Sequence, residues 1–424
     1  MATAPGRKRK APAEPPARSS PALSAPAQAA PAVVTPQGFP CVALLLQGGG
    51  ALGAYQGGVY EALAAARVMP NWVVGISIGA INAALIAGNP PERRVAQLHA
   101  FWETVTERPI SNLTRALFGD TPPKAGNILH QAMDRWGAAQ ALVTGAPGFF
   151  EPRFPPPFAQ IPGSEGATSF YDTSKLKATL ESLVDFDRIN SGEMRFSVGA
   201  VNVRTGNFTY FDSETDRIRA EHILASGALP PGFPAVEIDG EYYWDGGLVS
   251  NTPLQWLVEA RKRRDTLAFQ VDLWSARGEL PRDLTEVAVR QKEIQFSSRT
   301  RASTDHLKHL QNIRGALSVL LRDVPPEACQ TEEGRMLREF ADRKVYNVVQ
   351  LIYRSPSYEA DSKDYNFSRR SMVEHWQTGL ADAQLALSHP EIFQRPPGDV
   401  HFQAFDFHHT QDIPPRAPTD QGEV

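Results

Sequence analysis

Ser77 stands between two glycines in Gly75-Ile76-Ser77-Ile78-Gly79, directly after the apolar run Trp72-Val73-Val74 and before the helix-forming Ala80-Ile81-Asn82-Ala83-Ala84-Leu85. A serine in a sharp strand-to-helix turn is exposed as a nucleophile, its oxygen at a helix N-terminus where backbone N–H groups favour developing negative charge. The flanking glycines suit a strained turn in which side chains would clash. The same five residues also fit a plain small-residue turn packed between strand and helix. Upstream, Gly48-Gly49-Gly50-Ala51-Leu52-Gly53 follows the apolar Cys41–Leu46 and Gln47, and leads into a helix near Ala54. A glycine-rich strand-to-helix turn offers bare N–H groups to an anion, either a phosphate or the oxyanion of an acyl-transfer intermediate. A third segment, Tyr242 to Leu254, sets Asp245 after an aromatic strand end and before Gly246 and Gly247. Asp-Gly is also an ordinary turn signal. Asp239-Gly240 just upstream reads as the hairpin turn joining 235–238 to 242–244.

Gly48, Gly50 and Gly53 match the spacing of a dinucleotide-binding turn as well. That fold requires an acidic residue about 20 positions on, at the end of the second strand. Here no acid lies between Arg67 and Ala87, and Ser77 occupies the turn. A dinucleotide-binding oxidoreductase is therefore disfavoured.

The three segments, in this order, resemble the patatin-like phospholipase family. Ala225-Ser226-Gly227-Ala228-Leu229-Pro230-Pro231-Gly232-Phe233-Pro234 resembles the stretch that precedes the Asp-Gly motif in that family, and the resemblance spans roughly Pro40 to Leu273. The remainder resembles a bacterial branch with an additional C-terminal region of unassigned role. The resemblance implies a dyad without histidine. Ser77 is then the nucleophile and Asp245 the proton acceptor. Gly48, Gly49, Gly50, Ala51 and Gly53 form the oxyanion loop, with Gly75, Gly79, Gly246 and Gly247 as supporting motif residues. It implies a serine acyl hydrolase of lipid carboxylic esters, phospholipase A- or lysophospholipase-like, with no cofactor. The alternatives are a carboxylesterase or hydroxyalkanoate-oligomer hydrolase on the same dyad and, further off, a non-catalytic binding scaffold. Leu52 departs from the family, in which many members have a basic residue at that position. Phosphate head-group contacts there are in doubt, while the backbone donors remain.

A carboxylate of pKa about 4 is a poor base for a serine hydroxyl. Burial that raises its basicity, with strong oxyanion stabilisation, would compensate. The rival is a Ser-Asp-His triad, for which His306, His309, His375 and His389 follow the acid. All four fall outside Gly-rich or strand-end loops.

The 424 residues are 42% hydrophobic and 21% charged, enough for a large core. Two cysteines, Cys41 and Cys329, make no disulfide framework and suit a reducing compartment. Metal-spaced Cys/His clusters and acidic calcium loops are missing, so no metal is expected. No apolar run reaches the roughly 18 residues that span a bilayer, and the N-terminus lacks a signal-peptide core. The expected location is cytoplasmic, with peripheral contact at the inner membrane face. The basic arm with Arg7-Lys8-Arg9-Lys10 leaves the rest of the chain at net −8 against −4 overall. Such an arm can touch anionic surfaces but is more often merely solubilising, and no nucleic-acid partner is expected. The partner is a lipid or ester substrate, and the oligomeric state is left open.

Strands are expected at 41–47, 70–75, 195–203, 207–211, 235–238, 242–244, 266–273 and 346–354. Helices are expected near 53–66, 78–88, 91–106, 174–183, 217–225, 254–264, 284–320 and 368–387. The alternation predicts a three-layer α/β fold, a mainly parallel sheet with helices on both faces, related to the α/β-hydrolase architecture. Residues 1–38 read as a disordered Ala/Pro-rich arm, 39–275 as the catalytic domain, 276–408 as a helical extension with a strand–helix unit, and 409–424 as a flexible tail. Within the catalytic domain, 107–170 reads as an irregular, aromatic and proline-rich insertion: a lid lining an acyl channel, or a loop packed for stability. The basic amphipathic stretch Leu284–Leu321 suits either a membrane surface or a core helix with a solvated face.

Overall fold

Alternation along the first strand sets the layering. β1 (Cys41–Leu46) is buried throughout. Its Val42, Leu44 and Leu46 pack into one apolar core and its Cys41, Ala43 and Leu45 into a second core on the opposite face. A strand apolar on both sides belongs in the middle of a parallel sheet covered twice. The computed structural model describes residues 38–107, 127–260, 262–278, 280–325, 327–355 and 363–407. The expected N-terminal arm (apart from Gly38), the expected tail from 409 and the first part of the insertion lie outside these residues.

After β1 come α1 (Ala54–Ala65), β2 (Trp72–Ile76), α2 (Ile78–Ala87), α3 (Arg94–Thr106) and α4 (Asn127–Thr144). A small hairpin, β3 (Glu151–Pro152) with β4 (Tyr171–Asp172), precedes α5 (Ser174–Leu183), α6 (Phe186–Asn190), β5 (Arg195–Asn202) and β6 (Phe208–Asp212). Next are α7 (Ala220–Ser226), β7 (Val236–Ile238), β8 (Glu241–Asp245), α8 (Leu254–Glu259) and β9 (Thr266–Asp272). The last elements are α9 (Leu284–Leu320), α10 (Glu332–Phe340), β10 (Tyr346–Ile352), α11 (Arg369–Leu387) and β11 (Phe402–Phe405). The main sheet has the order β11-β10-β9-β1-β2-β5-β8-β7, with β6 also paired to β5. Its β11-to-β5 part is parallel, while β6, β7 and β8 join antiparallel. Helices α1, α2, α3 and α11 cover one face; α8 and α9 cover the other.

Asp239 and Gly240, both at positive φ, make the expected two-residue hairpin turn between β7 and β8. The expectation of an irregular 107–170 is corrected. Its Ala-rich portion forms an 18-residue helix, in keeping with the strong helix propensity of Ala, Gln and Leu. The residues beyond 275 do not stand apart. β10 continues the sheet by pairing in register with β9 over its whole length, from Tyr346↔Thr266 to Ile352↔Asp272.

Helix α11 crosses α1 almost backbone to backbone. A Cβ on Gly58 would lie 1.9 Å from the Trp376 carbonyl oxygen, and one on Gly379 would lie 2.0 Å from that of Tyr55. Tyr55 Oη donates to Asp382 at 2.8 Å and Trp376 Nε1 to Glu61 at 2.5 Å, fixing the crossing at both ends. Gly58→Ala or Gly379→Ala must force the helices apart and should each cost about 1–3 kcal/mol of stability. Thermal unfolding checks this, and an unchanged melting temperature would show that the helices do not cross at these glycines.

Candidate active site

Ser77 is the last residue before α2 and has φ 56°, ψ −125°, a conformation that a side-chain-bearing residue holds only under constraint. The constraint is visible. Ser77 N–H donates to Ser226 Oγ at 2.9 Å, and that hydroxyl donates on to the Gly199 carbonyl at 2.6 Å. Ser226 is fully buried at the end of α7. Gly75 and Gly79 let the turn close: a Cβ on Gly75 would lie 2.3 Å from the Gly79 carbonyl oxygen, and one on Gly79 2.2 Å from that of Leu46.

Sheet register brings the carboxylate to the serine. β2 runs parallel along one edge of β5 and ends at Ile76↔Gly199. β6 occupies the other edge, from Ser197 to Val201. β8 therefore approaches antiparallel along the edge β2 has just vacated, and its last residue, Asp245, pairs with Ala200. The two strands meet end to end, and Ser77 and Asp245 are the residues at the junction. Gly246 begins the next turn with its Cα close to the Gly199 carbonyl, where a side chain would not fit.

Asp245 is 2% exposed. Burial pushes its carboxyl up to about 7, against hydrogen bonds from the Ser77 hydroxyl and the Gly247 N–H that pull the other way. The Gly247 bond is 2.7 Å long.

The glycine loop lies on the same side. Asn251 grips Gly48 twice, accepting its N–H at 3.0 Å and donating to its carbonyl at 3.1 Å, and Trp274 Nε1 donates to that carbonyl at 3.0 Å. Ala51 N–H donates to the Asp364 carbonyl at 2.8 Å. Of the five loop residues expected from sequence to serve an oxyanion, not all have a donor to offer. The N–H groups of Gly48 and Ala51 are committed within the fold. Gly53 packs against Ile78 and Trp102 and, like Ala51, does not line the cavity. Gly49 and Gly50 do line it, and their N–H groups have no acceptor among the described residues.

Ser77, Asp245 and the glycine loop form one end of a cavity of about 280 Å³. Phe149, Phe150, Tyr171, Phe233 and Phe367 pack ring against ring along one side, with centroids 5.0–6.1 Å apart. The later part of the insertion therefore contributes cavity wall. So do Phe296, Tyr365 and Phe367 from beyond residue 275. No Lys or Arg lines the cavity among the described residues, and Leu52 is fully buried in the core. None of the four candidate histidines lines it either. His306 and His309 are exposed on α9. His375 is buried against Tyr353, and His389 stacks on Phe407.

Ser226, Asn251, Trp274 and Asp364 were missed as site residues. Ser226 and Asn251 had a sequence signal, as parts of the stretches 225–234 and 242–254; Trp274 and Asp364 had none. Among the described residues no group of His, Cys, Asp and Glu is arranged to hold a metal ion.

Helices on both faces of a mainly parallel sheet, with the Ser77 turn beyond a strand's carboxyl end, define a three-layer α/β protein with a site at the strand ends. The patatin-like phospholipase family model matches residues 44–258, and a second model, described as a patatin phospholipase, matches residues 294–399. The chain belongs to the patatin-like phospholipase family, a family of ester-hydrolysing enzymes. Similar solved structures include VipD from Legionella pneumophila, 14% identical with a TM-score of 0.30, over 80% of this chain and 66% of that one. They also include ExoU from Pseudomonas aeruginosa in complex with SpcU, 16% identical with a TM-score of 0.24, over 70% and 60%. The chain thus spans 60–66% of the length of these two proteins. No curated protein matches it.

The raised Asp245 carboxyl has a thermodynamic signature. Unfolded, it titrates near 3.8; folded, near 7. Stability from this group is fully present below pH about 4 and is lost as pH rises through 7. Asp245→Asn removes that penalty. At pH 8 it should stabilise the fold by up to about 4 kcal/mol, a gain that fades towards pH 4. Melting temperatures of the two proteins across this range test it, and parallel pH profiles would refute it. Asp272, also buried and pushed up to about 7, is common to both proteins and cancels in the difference.

Proposed function

We propose that the protein is a serine acyl hydrolase of lipid carboxylic esters, with Ser77 as nucleophile and Asp245 as its base. The observation that carries this reading is the meeting of the Ser77 turn and the buried Asp245 carboxyl at one strand junction in the same cavity, with that carboxyl pushed up to about 7 by burial. Such a carboxylate can take the serine proton as Oγ attacks the ester carbonyl. The negative charge that develops on the carbonyl oxygen is received by the Gly49 and Gly50 N–H groups, each donor worth roughly 100- to 1,000-fold in rate. Asp245 then passes its proton to the departing alcohol, leaving an acyl-Ser77 ester. Water, deprotonated by Asp245, attacks that ester, and collapse of the second intermediate releases the carboxylic acid and reprotonates Ser77. The aromatic wall suits an acyl chain. Absence of a cation among the described lining residues, together with buried Leu52, favours esters that need no anionic head group at the site. A carboxylesterase or hydroxyalkanoate-oligomer hydrolase is the second reading.

Contact with a lipid surface belongs to the same proposal. Phe154, Phe158 and Ile161 are 96%, 85% and 80% exposed, an unusual display for a soluble face. They sit on a braced segment. Arg153 bonds the Phe170 carbonyl and Ser169 and pairs with Glu165 and Asp172, and Phe170 N–H donates to the carbonyl of the cavity-lining Pro231. Helix α9 is a poorer membrane face. Arg290 and Lys292 pair within the protein and Arg314 is buried. Among the described residues no helix is long and apolar enough to cross a membrane. The location that fits is cytoplasmic, at the inner membrane face.

Ser77→Ala should abolish fluorophosphonate labelling and ester hydrolysis without lowering the melting temperature; a folded Ser77→Ala protein that still labels would overturn the assignment. For the surface, the double variant Phe154→Ser/Phe158→Ser should float with phospholipid vesicles at least tenfold less than wild type while hydrolysing a soluble short-chain ester normally. Equal flotation would remove this face from the proposal.

A further inference from the structure

The glycine loop is held not only by its neighbours in the sheet but also by residues more than 240 positions away. The Asp364 carbonyl takes the Ala51 N–H at 2.8 Å. It lies flush on the loop where Gly50 has φ +56°, and a Cβ on Gly50 would sit 2.1 Å from that same oxygen. The segment carrying this carbonyl is itself pinned by two crossed ion pairs. Lys292 Nζ lies 3.1 and 3.0 Å from the two Asp364 carboxylate oxygens. Next to it on α9, Glu293 takes Lys363 Nζ at 2.8 Å and is also bonded by Arg290 at 3.1 Å. Lys-Glu on the helix thus meets Asp-Lys on the segment, so each charge faces its opposite and a one-residue slip would set like against like. The second pair is withdrawn from water, with side chains 5% and 14% exposed. Lys363 also stands over the Trp274 ring at 5.4 Å, and Trp274 holds the Gly48 carbonyl.

An oxyanion loop has a specific difficulty. Two N–H groups must point into a cavity without a partner, although a glycine-rich backbone is free to turn them elsewhere. Fixing the peptide on either side removes that freedom. Asn251 and Trp274 fix the Gly48 side; Asp364 fixes the Ala51 side. We infer that the Lys292–Asp364 and Glu293–Lys363 pairs form a clamp by which the C-terminal region positions the Gly49 and Gly50 N–H groups for catalysis. The inference rests on the Ser77–Asp245 reading for its rate effect but not for its structural effect. Lys292, Glu293, Lys363 and Asp364 are positioning residues that act through the loop.

Lys292→Met and Asp364→Asn each break the Lys292–Asp364 half of the clamp, leaving the Glu293–Lys363 pair and the Asn251 and Trp274 contacts in place. Steady-state hydrolysis of a soluble short-chain ester should show kcat reduced roughly 10- to 100-fold, the scale of a misplaced oxyanion donor, with KM within about threefold of wild type. The fraction of protein finally labelled by fluorophosphonate should be unchanged, but labelling should be slower. Lys292→Arg, which keeps the charge, should recover most of the rate. Hydrogen exchange of the Ala51 N–H, which the Asp364 carbonyl accepts, gives a readout independent of turnover and should be at least tenfold faster in both variants. Unchanged exchange would overturn the clamp. So would normal kcat, a loss accounted for by a smaller labelled fraction, or a loss confined to KM. Accelerated exchange in a protein whose wild type neither labels nor hydrolyses would uphold the clamp and defeat the Ser77–Asp245 reading instead.

Discussion

A carboxylate without water must be compensated by donors or must take up a proton. Among the described residues the Gly247 N–H bonds the Asp245 carboxyl, and the Ser77 hydroxyl adds a second favourable contact. Burial outweighs both and gives the group its basicity, and much of the surrounding architecture serves to maintain it. β8 must end against β2 on the same edge of β5, so that two residues 168 positions apart share one dry corner. The turn after Asp245 must be narrow enough to run beside the Gly199 carbonyl. Ser77 must be held at positive φ, which the Ser226 hydroxyl does by bridging its N–H to that same Gly199 carbonyl. Gly199 is thus a common support for both members of the pair.

A chain of buried amides lies beneath the glycine loop. Gln47 receives the N–H groups of Leu273 and Trp274, and its own carbonyl takes the side chain of Gln56. Gln56 is bonded by Asn82, and Asn82 by Trp102. The loop therefore rests on hydrogen bonds fully paired inside the core, which rigidify a backbone that its glycines alone would leave loose.

Much of the fold was legible because its signals are local. The runs Cys41–Leu46 and Thr266–Asp272 are apolar enough to announce central strands, and the glycines around Ser77 mark a turn that larger residues cannot make. Asp245 was legible through its Gly-Gly neighbours. The helix Asn127–Thr144 was obscured by the Pro- and Phe-rich stretch after it, and β11 by its four-residue length. The supports of the site were harder to see for a different reason. Ser226 and Asn251 are single polar residues whose partners lie 149 and 203 positions away. Asp364 contributes a main-chain carbonyl to the loop, and no side-chain identity advertises that. The sequence also suggested more free N–H groups than the loop has to offer, because a run of glycines does not reveal which of them are already taken.

The close crossing of α1 and α11 bears on how the protein is made. During synthesis α1 leaves the ribosome long before Gly379, and so does β9, whose outer edge has no strand beside it until Tyr346–Ile352 emerges. A nascent chain that already carries Ser77 and Asp245 has an unpaired sheet edge, a bare helix face and a glycine loop without its far support. The cavity lining and the contacts of the glycine loop are complete only after Asp364 and Phe367 have emerged. Until then the unpaired edge of β9 is open to pairing with other strands, and the later strand β10 closes it.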